Sequence, residues 1–421
     1  MLKNYLEEIL QSTGVNKHQT HIEDEMIAFG KSGLKYIADA IKTIAHDGIN
    51  EKYTITVKLD GAPAIISGYL PADTVTSNGV SMKKGDFFVG TKSVFNATPK
   101  IAPTPDATEA LYGGPLGEIL KMCHQYLPAV VKSGIYQGDL MYAKIGERGP
   151  ETKEIDGQMF YTFKPNTIIY AVPVDSDYGK AITASKMGIV MHTKYEGESL
   201  EKIMPSFNVS ESNFNKSLNV WLTDAKRKTV GAGHLLNSEE ATRIEGMANY
   251  LFGAIAKISD KFFKILKESF KPSDALMIFI NSRIKNGVDK IIDDPKVFLN
   301  EFKDWLTIRG EKEIEDAKSN KGKANKAAIL QENLDLVNNN EFEFIQFLKI
   351  YKVILKAKSQ IIRALNDSTQ GMQSFLQTEN GIQKTNPEGY CIVNIDNKIS
   401  KFVDRLEFSK ANFNTGSFRK K

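Results

Sequence analysis

Two kinds of hydrophobic spacing divide this chain, and their order constrains the fold more than any other feature. From 51 to 195, short alternating or β-branched runs (TITVKL, AIISGYL, DFFVGTKSVF, GIYQGDLMY, MFYTF and TIIYAVPV) are separated by Gly, Asp, Asn and Pro clusters. One helix, Pro115 to Val131, interrupts them. From about 208 to 380 apolar residues recur instead at i, i+3/i+4, as in SEEATRIEGMANYLFGAIAKISDKFFKILKESF and EFEFIQFLKIYKVILKAKSQIIRALND. YCIVNI, residues 390 to 395, is strand-like again. A strand returning after so long a helical block implies an insertion, with the last strand belonging to the first domain. Short strands without long helical crossovers predict an α+β, antiparallel-rich domain rather than a doubly wound one.

The first 48 residues read as two helices, MLKNYLEEILQS and THIEDEMIAFGKSGLKYIADAIKTIA. Thr20-x-x-Glu23 has the form of a capping box, and Ile27, Leu34, Ile37, Ile41 and Ile44 follow at roughly helical spacing. FGKSG at 29–33 contains the end of a phosphate-binding loop. That motif needs a glycine five residues before Gly30, where Glu25 stands, and no strand precedes it. EKEIEDAKSNKGKANKAAILQEN, polar and charge-rich, reads as a connection between helices.

Composition excludes several classes. Two cysteines, Cys123 and Cys391, cannot form a disulfide framework or a structural zinc site, and the six histidines show no zinc-ligand spacing. No apolar run approaches a membrane span, and the N-terminus is unlike a signal peptide, so a soluble cytoplasmic protein is expected. A net charge of +4 says little about partners, but the cations cluster. Lys226-Arg227-Lys228, then Lys318, Lys321, Lys323 and Lys326, then Lys349, Lys352, Lys356 and Lys358, and finally Arg419-Lys420-Lys421 could each track a phosphate backbone or be solvated surface.

The chemistry centres on TITVKLDGAPAIISG, 54–68, which delivers Lys58 at a strand end just before Asp60 and Gly61. A lysine becomes a nucleophile when desolvation or nearby positive charge lowers its pKa. Asp60 could bond a ligand or position the lysine, and Gly61 permits close backbone approach. A plain hairpin with an Asp-Gly turn is the alternative. Lys-x-Asp-Gly resembles the first motif of the covalent nucleotidyltransferases, the superfamily of ATP-dependent DNA ligases, RNA ligases and capping enzymes. Later segments resemble its other motifs in order: FFVGTKSVF with Lys92, YQGDLMY with Asp139, TIIYAVPV with Tyr170, PEGYCIV with Glu388, and KISKFV with Lys401 and Lys398. The whole profile resembles bacteriophage RNA-ligase-like proteins over roughly 18–178 and 385–413.

That resemblance implies roles. Lys58 would attack the α-phosphate of ATP, Lys401, Lys398 and Lys92 would face phosphate, and Tyr170 or a neighbour would stack on the base. Asp139 and Glu388 would hold Mg2+, or Mn2+ in its place. The implied reaction is ATP-dependent ligation of a nucleic acid, RNA more than DNA, through a lysyl-AMP intermediate. It also implies a layout: helices 1–48 packing on the catalytic domain, a nucleotidyltransferase domain at 49–207, a helical insertion at 208–384, and the last strands and tail at 385–421. Three features depart from the family. Ala62-Pro63-Ala64 replace an expected arginine, Asp139 stands where glutamate is usual, and no OB-like segment follows the last motif. They keep open a capping-type acceptor, or a non-catalytic nucleic-acid-binding protein on a degenerate scaffold. Tyr170 reads equally well as a core tyrosine.

Overall fold

The computed structural model describes residues 21–47, 53–59, 61–146, 149–226, 228–229, 235–268, 275–370, 372–378, 381–394 and 396–409. The helix expected from MLKNYLEEILQS, together with Thr20, Asp60, Arg227, His234 and Arg419 to Lys421, lies outside them. The described residues form two compact units, one within 51–233 and 368–401, the other within 20–50, 234–367 and 402–421.

The first unit is antiparallel-rich. β1 (Tyr53–Lys58), β17 (Gly389–Asn394) and β18 (Ile399–Val403) form a three-stranded sheet in the order β1-β17-β18. A larger sheet runs β11 (Met204–Ser206), β10 (Met187–Glu196), β6 (Ile135–Ala143), β2 (Ala64–Tyr69), β5 (Phe87–Gly90), with β12 (Val220–Thr223) parallel to β10. A third runs β16 (Gly381–Thr385), β15 (Gln373–Thr378), β9 (Ile169–Pro173), β8 (Gln158–Phe163), β7 (Glu151–Ile155). Short ribbons pair β3 (Thr74–Val75) with β4 (Ser81–Met82), and β13 (Lys228–Thr229) with β14 (Thr369–Gln370).

Alternation explains the larger sheet. Ile65, Leu140, Ile189 and Met191 bury one face among Ile119, Leu120 and Cys123 of a helix, Gly114–Tyr126. That helix was expected at Pro115 to Val131; its last residues instead form a 3-10 turn, Leu127–Ala129. Two further helices, Pro105–Tyr112 and Asp177–Ala184, open on Thr104 and Ser176, whose hydroxyls accept N–H groups of the first turn. Cys123 and Cys391 are both buried, and neither is in a disulfide.

The second unit is built from helices Glu25–Asp47, Ser238–Ile255, Asp260–Glu268, Ala275–Lys285, Pro295–Glu315, Asn320–Asn339 and Glu341–Ser368. Leu34, Ile37, Ile41 and Ile44 are buried as their spacing predicts, but the stripe does not reach Ile27, whose place is taken by Met26. The reason is a bend. Gly30 has φ 60° and ψ −134°, outside helical geometry, and a Cβ on Gly33 would lie 2.1 Å from the Glu25 carbonyl oxygen. GKSG is therefore the sequence of a bent helix in which both glycines are required by the backbone.

The expected boundaries shift. The helix at 25–47 belongs with the other long helices rather than with the strand-rich unit, and 208–233 and 368–384 belong with the strands. Residues 220–223, 373–378 and 381–385 pair into sheets, so the purely helical segment is shorter than 208–384. EKEIEDAKSNKGKANKAAILQEN is helical over most of its length, not a connection. Its helix is seated by Leu330, whose side chain lies where a Cβ on Gly310 would be.

A buried charge cluster ties the second unit together. Lys358 Nζ donates to both carboxylate oxygens of Glu23 at 2.8 Å, and Tyr351 donates its hydroxyl to Asp24 Oδ1 at 2.6 Å. Arg405 lies 3.3 Å from Asp24 Oδ2 and also reaches Asn281. Glu23 is 0% and Lys358 3% exposed, so Glu23 is an ion-pair partner and Lys358 is no surface cation; the cap expected at Thr20 lies outside the described residues. Burial lifts the Asp24 pKa to about 6, against the pull of Arg405. A carboxyl raised in this way binds its proton more tightly folded than unfolded. Its contribution to stability is full below the unfolded value of 3.8 and is lost as pH rises through about 6. Asp24→Asn removes that dependence. Chemical denaturation of variant and parent should show the difference moving in the variant's favour by about 2 kcal/mol between about pH 4 and pH 7. A difference that stays flat with pH would show that Asp24 titrates normally.

Candidate functional site

The ladder between β1 and β17 builds the site. Its register pairs Lys58 with Gly389 and Thr56 with Cys391. Glu388, immediately before β17, is thereby brought against the Lys58 amine, and Lys58 Nζ pairs with Glu388 Oε2. Lys58 is 25% and Glu388 9% exposed, so the pair is partly withdrawn from water and still reachable. On its other edge β1 is held by the Val57 N–H, which donates to the Ala225 carbonyl at 2.9 Å.

Lys401 enters from β18, on the far side of β17. Burial pulls its pKa below the usual lysine value, and the positive charges of Lys58 and Lys92 pull in the same direction. Lys92 was expected on a strand. It instead opens a 3-10 turn, Lys92–Phe95, that follows β5 after Thr91, and its charge still reaches Lys401. Cys391 is buried in the same cluster. Burial pushes its thiol up to about 11 while Lys58 and Lys401 oppose the shift, so it behaves as a packed thiol and not a nucleophile.

Asp139 comes from β6, where its register neighbours are Ala64 and Val190. Gly61 is what lets the lysine loop approach it. A Cβ at Gly61 would lie 2.6 Å from Asp139 Cβ and 3.0 Å from the Leu140 carbonyl oxygen. The Ala62 N–H donates to that same carbonyl at 2.9 Å.

His192 is a member that sequence reasoning missed. The β10–β6 register breaks between Met191 and Thr193, so His192 is the bulged residue, and a bulge re-aims its side chain. Its Nε2 lies 3.5 Å from Asp139 Oδ2, and its Nδ1 is 2.8 Å from Thr193 Oγ1. The longer contact is an electrostatic neighbour rather than a hydrogen bond, and Nε2 has no hydrogen-bond partner among the described residues. No sequence spacing marks this histidine, because only the bulge places it.

Two cavities flank the lysine loop. A small one, about 90 Å3, is lined by Lys58, Asp139, His192, Cys391, Phe207 and Ile399. A larger one, about 600 Å3, is lined by Ala62, Pro63, Leu140, Tyr142, Phe163 and Lys164, among others. Among the described residues no three His, Cys, Asp or Glu side chains converge as a ready metal site. Asp139 and Glu388 are two carboxylates that both act electrostatically on Cys391. Two carboxylates completed by phosphate oxygens and water are the usual protein share of a Mg2+ site, so they fit the expected ion.

Tyr170 is not available to a base. It is 1% exposed and packs 5.9 Å from the Phe163 ring, which is the core reading of that residue. Phe163, its register partner on β8, and Tyr142 line the larger cavity instead. Lys398 lies in the tight turn between β17 and β18, its N–H donating to Asn394 Oδ1 at 2.8 Å. The structure thus brings together Lys58, Lys92, Asp139, Glu388 and Lys401, and leaves Tyr170 apart.

A family model matches residues 16–417. The chain belongs to DUF6267, described as a family of unknown function. No curated protein and no solved structure matches the chain. The match runs through both units, so the strand-rich and helical parts occur together in this DUF6267 chain.

Gly61→Ala should force the lysine loop away from Asp139 and cost about 1–3 kcal/mol. Urea denaturation checks the cost. An unchanged midpoint would mean that the loop does not rest on β6 as described.

Proposed function

We propose that this chain is an ATP-dependent nucleotidyltransferase acting through Lys58, and that its end reaction is polynucleotide ligation, RNA more than DNA. The observation that carries the reading is the ion pair between Lys58 and Glu388, two residues from opposite ends of the sequence that the resemblance assigns to one active centre.

Lys58 Nζ attacks the α-phosphorus of ATP. A P–N bond forms as the bond from that phosphorus to the bridging oxygen breaks, and pyrophosphate leaves. The ammonium proton passes to Glu388, whose carboxylate already touches the amine. Lys401 and Lys92 surround the same point with positive charge and stabilise the charge that develops on the phosphate. Asp139 and Glu388 are the carboxylates that would hold Mg2+ or Mn2+, which when bound offsets phosphate charge. The larger cavity, about 600 Å3, is of a size that takes a nucleoside. AMP then passes from Lys58 to a 5′-phosphate, and a 3′-hydroxyl displaces it.

Incubation with α-labelled ATP and Mg2+, followed by denaturing electrophoresis, should give a labelled chain that Lys58→Ala abolishes. Glu388→Gln should lower the labelling rate by about 10²-fold. A label from GTP and not ATP would move the reading to a capping-type reaction. A folded protein, purified free of AMP, that takes label from neither would overturn the enzymatic reading.

A further inference from the structure

The helical unit carries a site of its own. On the helix Glu341–Ser368, Lys349, Lys352, Lys356 and Arg363 follow one another at helical spacing and are all exposed. Lys352, Lys356 and Arg363 line a cavity of about 630 Å3 whose floor is the buried Lys358, Glu23 and Arg405.

The floor is neutral in sum when ionised, because Lys358 and Arg405 face Glu23 and Asp24. The rim is not. Lys290 is matched by Asp293 at 2.9 Å, and the Asp404 carboxylate is taken by the N–H groups of Leu406 and Glu407. Lys352 donates to the Asp293 carbonyl oxygen, and its charge also acts on the Asp293 and Asp294 carboxylates. Lys356 and Arg363 have no ion pair among the described residues, and the rim sets four cations, Lys290, Lys352, Lys356 and Arg363, against three carboxylates, Asp289, Asp293 and Asp404. Ile291, Ile292, Leu355 and Ile362 make the walls apolar. Cations over an apolar cavity suit a phosphate with an organic body attached. Among the described residues no aromatic ring lines the cavity, so recognition rests on the backbone and not on stacking.

We propose that this cavity and its cationic rim bind the phosphate backbone of a single-stranded polynucleotide without base preference. The identity of the ligand rests on the ligase reading above, and the site is separate from the residues of that chemistry.

The test is fluorescence anisotropy of a labelled single-stranded RNA oligomer with the full chain, at a series of salt concentrations and without ATP. Because no ATP is present, a protein that forms no lysyl adduct still gives a readable result. Lys356→Gln/Arg363→Gln should weaken binding about tenfold and reduce the salt slope by about 1.4, about 0.7 for each phosphate no longer neutralised. Lys321→Gln/Lys323→Gln, exposed cations on another helix, should leave affinity unchanged. Lys356→Gln alone gives a graded weakening should the double variant be unstable. Equal binding by the Lys356/Arg363 variant, or no binding by the parent, would overturn the proposal. So would displacement of the RNA by AMP as effectively as by unlabelled oligomer, since the site would then be one for a mononucleotide.

Discussion

The antiparallel ladder between β1 and β17 is the constraint on which the candidate site depends. It joins Tyr53–Lys58 to Gly389–Asn394 across more than three hundred residues of intervening chain, and its register alone decides which side chains meet. Strand side chains alternate faces, so a slip of one residue would turn Lys58 away from its present face and separate it from Glu388. β18 then rests on β17 and brings Lys401, while Ala225 closes the outer edge of β1. Each further charged group takes its place relative to that ladder.

The two units treat buried charge in opposite ways. In the helical unit Glu23, Asp24, Lys358 and Arg405 are matched two against two, with Tyr351 and Asn281 filling remaining hydrogen bonds. Such a cluster is satisfied as it stands, and removing one member would strand its partner in a medium that solvates charge poorly. Around Lys58 the charges are less evenly matched: Lys58 pairs with Glu388, while burial and the charges of Lys58 and Lys92 lower the pKa of Lys401.

Much of the strand-rich unit was legible because its residues alternate between turn signals. TITVKL ends as a strand at Lys58, and the later β signal does return to the first sheet. The apolar stripe of Leu34, Ile37, Ile41 and Ile44 was equally plain. The misses have separate physical causes. Ile27 falls out of phase because Gly30 bends its helix, a backbone event that periodicity does not register. Asn320–Asn339 looked like a linker because it carries little apolar surface and is seated by few residues, Leu330 over Gly310 among them. Of the site, the motif residues were readable by type and order. Tyr170 could be read either way, because an aromatic on a central strand looks the same whether it faces a ligand or the core. His192 was invisible because a bulge is a property of two strands together.

The discontinuity of the strand-rich unit has a consequence for how the protein is made. Translation delivers Lys58 early, but Glu388 and Lys401 emerge only after the helices of 238–368 have been synthesised. Until then β1 lacks its β17 partner, and Lys58 lacks Glu388. A nascent or truncated chain that stops before 388 can therefore carry every residue of the lysine loop and still hold no assembled site. Pairings of such long sequence separation also form slowly, since the entropy of closing the loop must be overcome first. The charged cluster at the lysine thus assembles only after the helices of 238–368 have been made.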